Sequence, residues 1–190
     1  VGLAIFDPAR ACVIVIDVQD RLAATMPERD AIVACVSRLV RVAGELGVPV
    51  IYTQQYTCGL GPTVEELLPV LTNARGPIEK LSFDCCAEPA LVSAVQETGR
   101  EQIVLMGMEA HICVTQTALH LLRDGYDVQV VADAVCSARA YDRDIALERL
   151  RSAGAQITTA EAVIYEGVGK AGTELFRRVL AIVKEKDTAE

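Results

Sequence analysis

Apolar, β-branched runs alternate with longer stretches of helical periodicity along most of this chain. Ala11-Cys12-Val13-Ile14-Val15-Ile16 holds no polar residue and closes on Asp17. That apolar run predicts a strand over 11–17. A helix is expected at about 28–46 and a second strand at 48–53. After a long interruption the alternation resumes with a helix at about 88–98, a strand at 101–107, a helix at 111–124, a strand at 127–132, a helix at 142–153 and a strand at 155–158. Short helices near 159–165 and 172–184 close the pattern. Strands that alternate with crossover helices predict an α/β fold, a three-layer α/β/α (Rossmann-like) domain around a central parallel sheet of about six strands. Such sheets take their ligands in the crevice at the strand C-termini, where the strand order reverses.

The interruption, residues 54–87, contains Gly59, Gly61, Pro62, Pro69, Gly76 and Pro77, with one short helical turn expected at 63–68. Loops this long in a compact domain are usually functional or disordered. Leu60, Val64, Leu67, Leu68 and Val70 within it offer apolar surface that points to a homo-oligomer, the alternative being that they fold back on their own subunit. No internal repeat or low-complexity segment divides the chain, so residues 1–190 read as one domain. Val1 reads as a processed or trimmed start, and about 185–190 as a frayed, solvated tail.

Composition narrows the partners. The chain is 52% hydrophobic and 23% charged, as soluble globular proteins are. Its formal charge of −8 repels phosphate backbones and anionic membranes, so neither nucleic acid nor membrane is expected as a partner. No apolar stretch approaches the roughly 18 to 20 residues that span a bilayer, and no basic-then-apolar leader opens the sequence, which together predict a cytoplasmic protein. Seven cysteines, odd in number and without a CxxC pair, read as reduced thiols.

The chemistry sits at strand ends. Cys113 follows the break at Gly107 and opens a helical run, where backbone N–H groups and the positive end of the dipole favour a thiolate. Asp17 ends the first strand, and burying it there requires a partner or a function. For an attack on a carbonyl, Asp17 can accept the thiol proton and Lys80 can stabilise thiolate and carboxylate together. Backbone N–H groups of the 108–113 turn can supply oxyanion donors. Spacing alone does not establish this set. Taken singly, Cys113 also reads as a small core residue, Asp17 as a cap and Lys80 as a surface lysine.

Three motifs in order change the weighing: Ile16-Asp17-Val18-Gln19, then Glu79-Lys80, then Gly107-Met108-Glu109-Ala110-His111-Ile112-Cys113-Val114 followed by Gln116-Thr117-Ala118, with Ser137 and Arg139 beyond. Over nearly its whole length the chain resembles the isochorismatase-like family of cysteine hydrolases. Thr53-Gln54-Gln55-Tyr56 and Gly59-Leu60-Gly61-Pro62-Thr63-Val64 look closest to the mammalian-type isochorismatase-domain-containing subgroup. The resemblance implies a catalytic triad of Asp17, Lys80 and Cys113 and a thioester intermediate. It also implies a cis peptide between Met108 and Glu109, and an oxyanion hole from the N–H groups of Glu109 and Cys113. Nicotinamidases of this family carry an Asp-x-His metal motif after the second strand. Here the two histidines, His111 and His120, lie elsewhere, so no zinc or iron ligation and no cofactor is expected. The presence of Cys113 argues for amide or ester cleavage over the vinyl-ether hydrolysis of true isochorismatases.

The expected activity is therefore metal-independent hydrolysis of a small amide, ureido or related acyl substrate, acting on C–N bonds other than peptide bonds. The alternative is a redox- or electrophile-responsive regulatory protein on the same fold. Gln19, Gln54, Tyr56 and Phe83, with Arg21, are the candidates for substrate binding, from the loop and the segment after Asp17. His111 reads as a structural or pocket-rim residue, since residues two apart at a helix start point away from each other, and His120 as a packed or half-exposed side chain. Cys12, Cys35 and Cys136 read as core residues, and the vicinal Cys85-Cys86 pair as a possible redox-sensitive patch.

Overall fold

The computed structural model describes residues 5–185; the expected tail at 186–190 and the start at 1–4 lie outside the described residues. Six strands form one parallel sheet: β1 (Ala11–Ile16), β2 (Val50–Gln55), β3 (Arg75–Lys80), β4 (Gln102–Met108), β5 (Asp127–Cys136) and β6 (Gln156–Thr158). Their order is β3-β2-β1-β4-β5-β6, every pair parallel. The chain steps from β1 to β2 and β3 on one side, then returns to place β4 on the other side of β1. The reversal therefore falls between the C-termini of β1 and β4, where such sheets open a crevice.

Among the described residues, eight α-helices accompany the sheet: α1 (Asp20–Ala23), α2 (Arg29–Glu45), α3 (Thr57–Leu60), α4 (Pro89–Thr98), α5 (Thr115–Arg123), α6 (Ala140–Ser152), α7 (Ala160–Val168) and α8 (Glu174–Lys184). Strand parity sorts the core into two layers. Ala11, Val13 and Val15 of β1 join Val104 and Met106 of β4 against α2, α7 and α8. Cys12, Ile14 and Ile16 join Ile103 and Leu105 against α4, α5 and α6. Both faces of β1 and β4 are consumed, which is why their sequences show no alternation.

Two elements depart from the sequence reading. The 54–87 excursion is not all loop: Arg75–Lys80 adds the sixth strand at the sheet edge, pairing Gln54 with Glu79 and Gln55 with Lys80. Val64 and Leu67 are fully buried in their own subunit's core, so they provide no surface for a second copy, while Leu68 stays about half exposed. Glu185, the last described residue, pairs with Arg41 of α2, while the rest of the expected tail lies outside the described residues.

Gly107 lets β1 and β4 close up at the crevice. Its φ is +121°, and a Cβ there would stand 2.0 Å from the Ile16 carbonyl oxygen. Only glycine tolerates both the dihedral and the approach.

Candidate active site

Asp17, Lys80 and Cys113 arrive from three different strands. Asp17 follows β1 with a left-handed φ of 51°, a conformation that aspartate adopts more readily than most residues. Lys80 is the last residue of β3. Cys113 lies in a single wide turn, Ala110–Val114, that precedes α5. In that turn Val114 N donates to Glu109 O five residues back at 3.3 Å, and Ile112 N donates to the same oxygen at 3.1 Å. Such π-helical turns widen the backbone and are frequent at functional sites. The Met108–Glu109 peptide that leads into it is cis.

The three side chains meet. Lys80 Nζ lies 2.7 Å from Asp17 Oδ2, and both side chains are wholly buried. Nζ also donates to Cys113 Sγ at 3.5 Å, to Gln55 Oε1 at 2.5 Å and to the Ser82 carbonyl at 3.2 Å. Thr53 Oγ1 donates to Asp17 Oδ1 at 2.7 Å. Oδ2 is held by charge alone, since no donor is aligned on it in hydrogen-bond geometry. The carboxylate therefore has one oxygen oriented by Thr53 and the other paired by charge with the Lys80 ammonium that also reaches the thiol.

Electrostatics here differ from the sequence expectation. Burial pushes the Cys113 thiol well above its ordinary range, and the charge of the Asp17 carboxylate adds to this, while Lys80 opposes them. The helix start does not overcome these effects, so the resting group is a neutral thiol that needs a base. For Lys80, burial pulls the ammonium down, but the neighbouring Cys85, Asp17 and Cys113 carry it above the ordinary lysine value. It is a fixed cation at neutral pH.

Three further thiols with no exposed surface, Cys12, Cys85 and Cys136, are pushed up to about 12, burial being the leading cause in each. The native state keeps these protons where the unfolded chain, with thiols near 8.5, releases them. Stability is then full below about pH 8.5 and falls as pH rises toward 12. Cys113 behaves likewise, as does Cys86, which burial also pushes up to about 12. These five thiols contribute about 0.8 kcal/mol each, so we expect a loss of about 4 kcal/mol between pH 7.5 and 9, measured by urea unfolding in reductant. A flat profile over that interval would show these thiols to be ordinary.

The remaining candidates fall into two groups. Gln19 and Gln54 are buried and their amides are already occupied. Gln19 Nε2 donates to the Gln55 and Gly61 carbonyls at 3.0 and 2.6 Å, and its Oε1 accepts from Gln55 N at 2.7 Å. Gln54 Nε2 donates to Thr63 Oγ1 at 2.9 Å, and its Oε1 accepts from Thr57 Oγ1 at 3.0 Å. Both brace the loop against β2. Tyr56 and Phe83, 54% and 55% exposed, flank the Lys80 end of β3, and Tyr56 N donates to Lys80 O at 2.9 Å. Arg21 Nη1 donates to the Gly59 carbonyl at 2.8 Å. His111 turns away from Cys113 toward Ser137 Oγ, 2.9 Å from Nδ1.

Thr53 and Gln55 are the residues that sequence reasoning passed over. They stand two apart on one face of β2, aimed at Asp17 and Lys80, while Gln54 between them faces the other way. Three consecutive polar residues, Thr53-Gln54-Gln55, closing a strand that opens on Val50-Ile51 were the available signal, the outer two sharing a face. Cys85, whose amide donates to Thr117 Oγ1 at 3.0 Å, is a second buried thiol in the field of Lys80.

Comparison with known proteins agrees with this architecture. The Isochorismatase domain family matches residues 11–162. Isochorismatase domain-containing protein 2 of Bos taurus is 38% identical over 185 residues, spanning 94% of this chain and 85% of its own. Among solved structures, MAR1 ribonuclease from Caenorhabditis elegans superposes with a TM-score of 0.89 at 34% identity, covering 95% of this chain and 92% of that one. YcaC from Escherichia coli, described as an octameric hydrolase of unknown specificity, superposes at 0.86 with 28% identity, covering 96% and 88%. With the profile spanning most of the chain and a relative this similar along nearly its full length, the protein belongs to the isochorismatase family and has the fold of its cysteine hydrolases.

Proposed function

We propose that this protein hydrolyses a small amide, ureide or related acyl compound through a thioester on Cys113. The observation that carries the reading is the buried Asp17 carboxylate, its Oδ2 2.7 Å from an ammonium that itself lies 3.5 Å from the Cys113 thiol. Asp17 takes the proton as Cys113 Sγ attacks the carbonyl carbon, and the oxyanion that forms is met by the N–H groups of Glu109 and Cys113. The C–N bond breaks as Asp17 returns that proton to the leaving nitrogen. Water then attacks the thioester and gives its proton to Asp17. As the C–S bond breaks, the thiol is re-formed with that proton and the acid leaves. Lys80 stays protonated throughout, offsetting the charge that passes between Asp17 and Cys113. The steps assign no role to a metal.

Tyr56 and Phe83 are the proposed substrate-facing residues, while Gln19 and Gln54 hold the loop that presents them. The protein acts as a homo-oligomer in this reading. The octameric YcaC neighbour supports it, as do the exposed Leu81, Tyr141 and Ile145, which leave apolar surface for a second copy. No helix among the described residues is long and apolar enough to cross a membrane. The free cysteines suit a reducing compartment such as the cytoplasm.

The test is intact-mass spectrometry after acid quench, following incubation with a panel of small amides, ureides and esters. An acyl adduct confined to Cys113, with release of the amine or alcohol, is the expected result. Oxidised sulfur without any acyl adduct across the panel would favour the redox-responsive alternative, which these relatives do not favour. The ribonuclease name of the C. elegans neighbour suggests RNA as a further substrate in the panel. A net charge of −8 weighs against it.

A further inference from the structure

A second group of ligating side chains converges away from the Asp17–Lys80–Cys113 centre. Asp84 caps the single turn Cys85–Ala87, Cys86 lies within it, and His120 projects from α5. Ligand atoms of Asp84, Cys86 and His120 all lie within 4.8 Å of one another. Asp84 Oδ2 is 2.6 Å from His120 Nδ1, and both side chains are about three-quarters buried, with 24% and 22% exposed. One tetrahedral ion about 2.0 to 2.3 Å from each ligand sets carboxylate oxygen, imidazole nitrogen and thiolate sulfur roughly 3.3 to 3.7 Å apart. Binding would therefore part Asp84 Oδ2 and His120 Nδ1 from their hydrogen bond by about 0.7 Å and draw Cys86 Sγ in with them.

The outer contacts have the arrangement that metal sites use. Asp124 Oδ2 lies 3.3 Å from His120 Nε2, so a ring bound through Nδ1 would have a carboxylate to accept its Nε2–H, as ligating histidines require. Cys86 N donates to Asp84 Oδ1 at 2.9 Å, which leaves Oδ2 aimed at the histidine. One contact opposes: Arg123 Nη2 stands 2.6 Å from His120 Nε2. That side chain is 68% exposed and already reaches Asp124 Oδ1 at 3.3 Å, so it can turn to the carboxylate once Nε2 carries a proton.

We propose that Asp84 Oδ2, Cys86 Sγ and His120 Nδ1 form a zinc site, with one water completing the tetrahedron. On binding, Cys86 releases its proton to solvent and the imidazole proton relocates from Nδ1 to Nε2. The ion pins the 84–87 turn to α5. That turn continues the segment holding Ser82, whose carbonyl accepts from Lys80, and carries Cys85 beside the lysine, so zinc stiffens one wall of the candidate active site. The sequence reading expected no metal because the histidines lie far from the loop after β2; the fold brings His120 to Asp84 and Cys86 instead.

The test is zinc titration of the purified chain against a chromophoric chelator, in wild type and in Cys113→Ser, which removes the candidate nucleophile, each also carrying Cys58→Ser because Cys58 is an exposed thiol. One equivalent retained in Cys113→Ser is expected, with a raised melting temperature. Cys86→Ser and His120→Ala should each weaken binding by about 100-fold or more. Cobalt(II) in place of zinc should give a thiolate charge-transfer band that Cys86→Ser abolishes, and Asp84→Asn replaces any variant that fails to melt cooperatively. Binding unchanged in these variants, loss of the metal with Cys113→Ser alone, or no binding by a cooperatively melting wild type would each overturn the site and leave a hydrogen-bonded brace.

Discussion

Replacing Cys113 by alanine is expected to lower turnover of any substrate found for this protein by about 10⁴-fold or more, while leaving the fold in place. The change removes one sulfur from a side chain that is 5% exposed and forfeits a single 3.5 Å contact with Lys80. Its structural cost is therefore small beside the chemical one. Asp17 and the turn amides remain, but with no atom to carry the acyl group the two-step route is closed. Serine at the same position should rescue little. Its hydroxyl is less acidic than a thiol, and the burial that already raises Cys113 would penalise an alkoxide more. The measurement is kcat under saturating substrate, with cooperative unfolding checked for each variant. A Cys113→Ala protein that kept a tenth of the wild-type rate would remove the nucleophile and the proposed mechanism together.

How much of this was legible depends on burial. β1 and β4 were readable nearly to the residue because both faces are covered, so Ala11–Ile16 and Ile103–Met106 show unbroken apolar runs. β3 was not. Arg75-Gly76-Pro77-Ile78-Glu79-Lys80 is an edge strand, mostly exposed and paired only with β2, so it carries glycine, proline and charge where a buried strand cannot. The same fact hid Lys80. Nothing local marks a lysine at the end of an exposed strand as the most deeply buried cation of the site, and only the family motif pointed to it. Cys113 was legible as a thiol at a turn, but its protonation state was not. Sequence shows the helix start that favours thiolate; the desolvation and the adjacent carboxylate exist only once three strand ends meet. Gln54 and Gln55 show the limit most sharply, since one residue of register decides which of them reaches Lys80 and which braces Thr63.

Lys80→Met is expected to destabilise the protein by about 3 to 5 kcal/mol, although methionine nearly matches the aliphatic stem. Lys80 is 2% exposed, and its ammonium serves Asp17 Oδ2, Gln55 Oε1 and the Ser82 carbonyl at once. Methionine offers none of them a donor. The larger part of the loss comes from Asp17, whose side chain is wholly buried and would be left without its cation, with only the Thr53 hydroxyl as a donor. Because that penalty belongs to the orphaned partner, removing the partner should relieve it. Asp17→Asn combined with Lys80→Met is expected to be more stable than Lys80→Met alone, recovering about 2 kcal/mol or more in a double-mutant cycle. Both variants lose activity in the proposed mechanism, so urea unfolding near pH 7 is the readout. If the two substitutions instead added without coupling, the carboxylate would not depend on the ammonium at all. The buried pair would then be an incidental contact, and the account of how Asp17 is held as a base beside a neutral thiol would have to be rebuilt on Thr53.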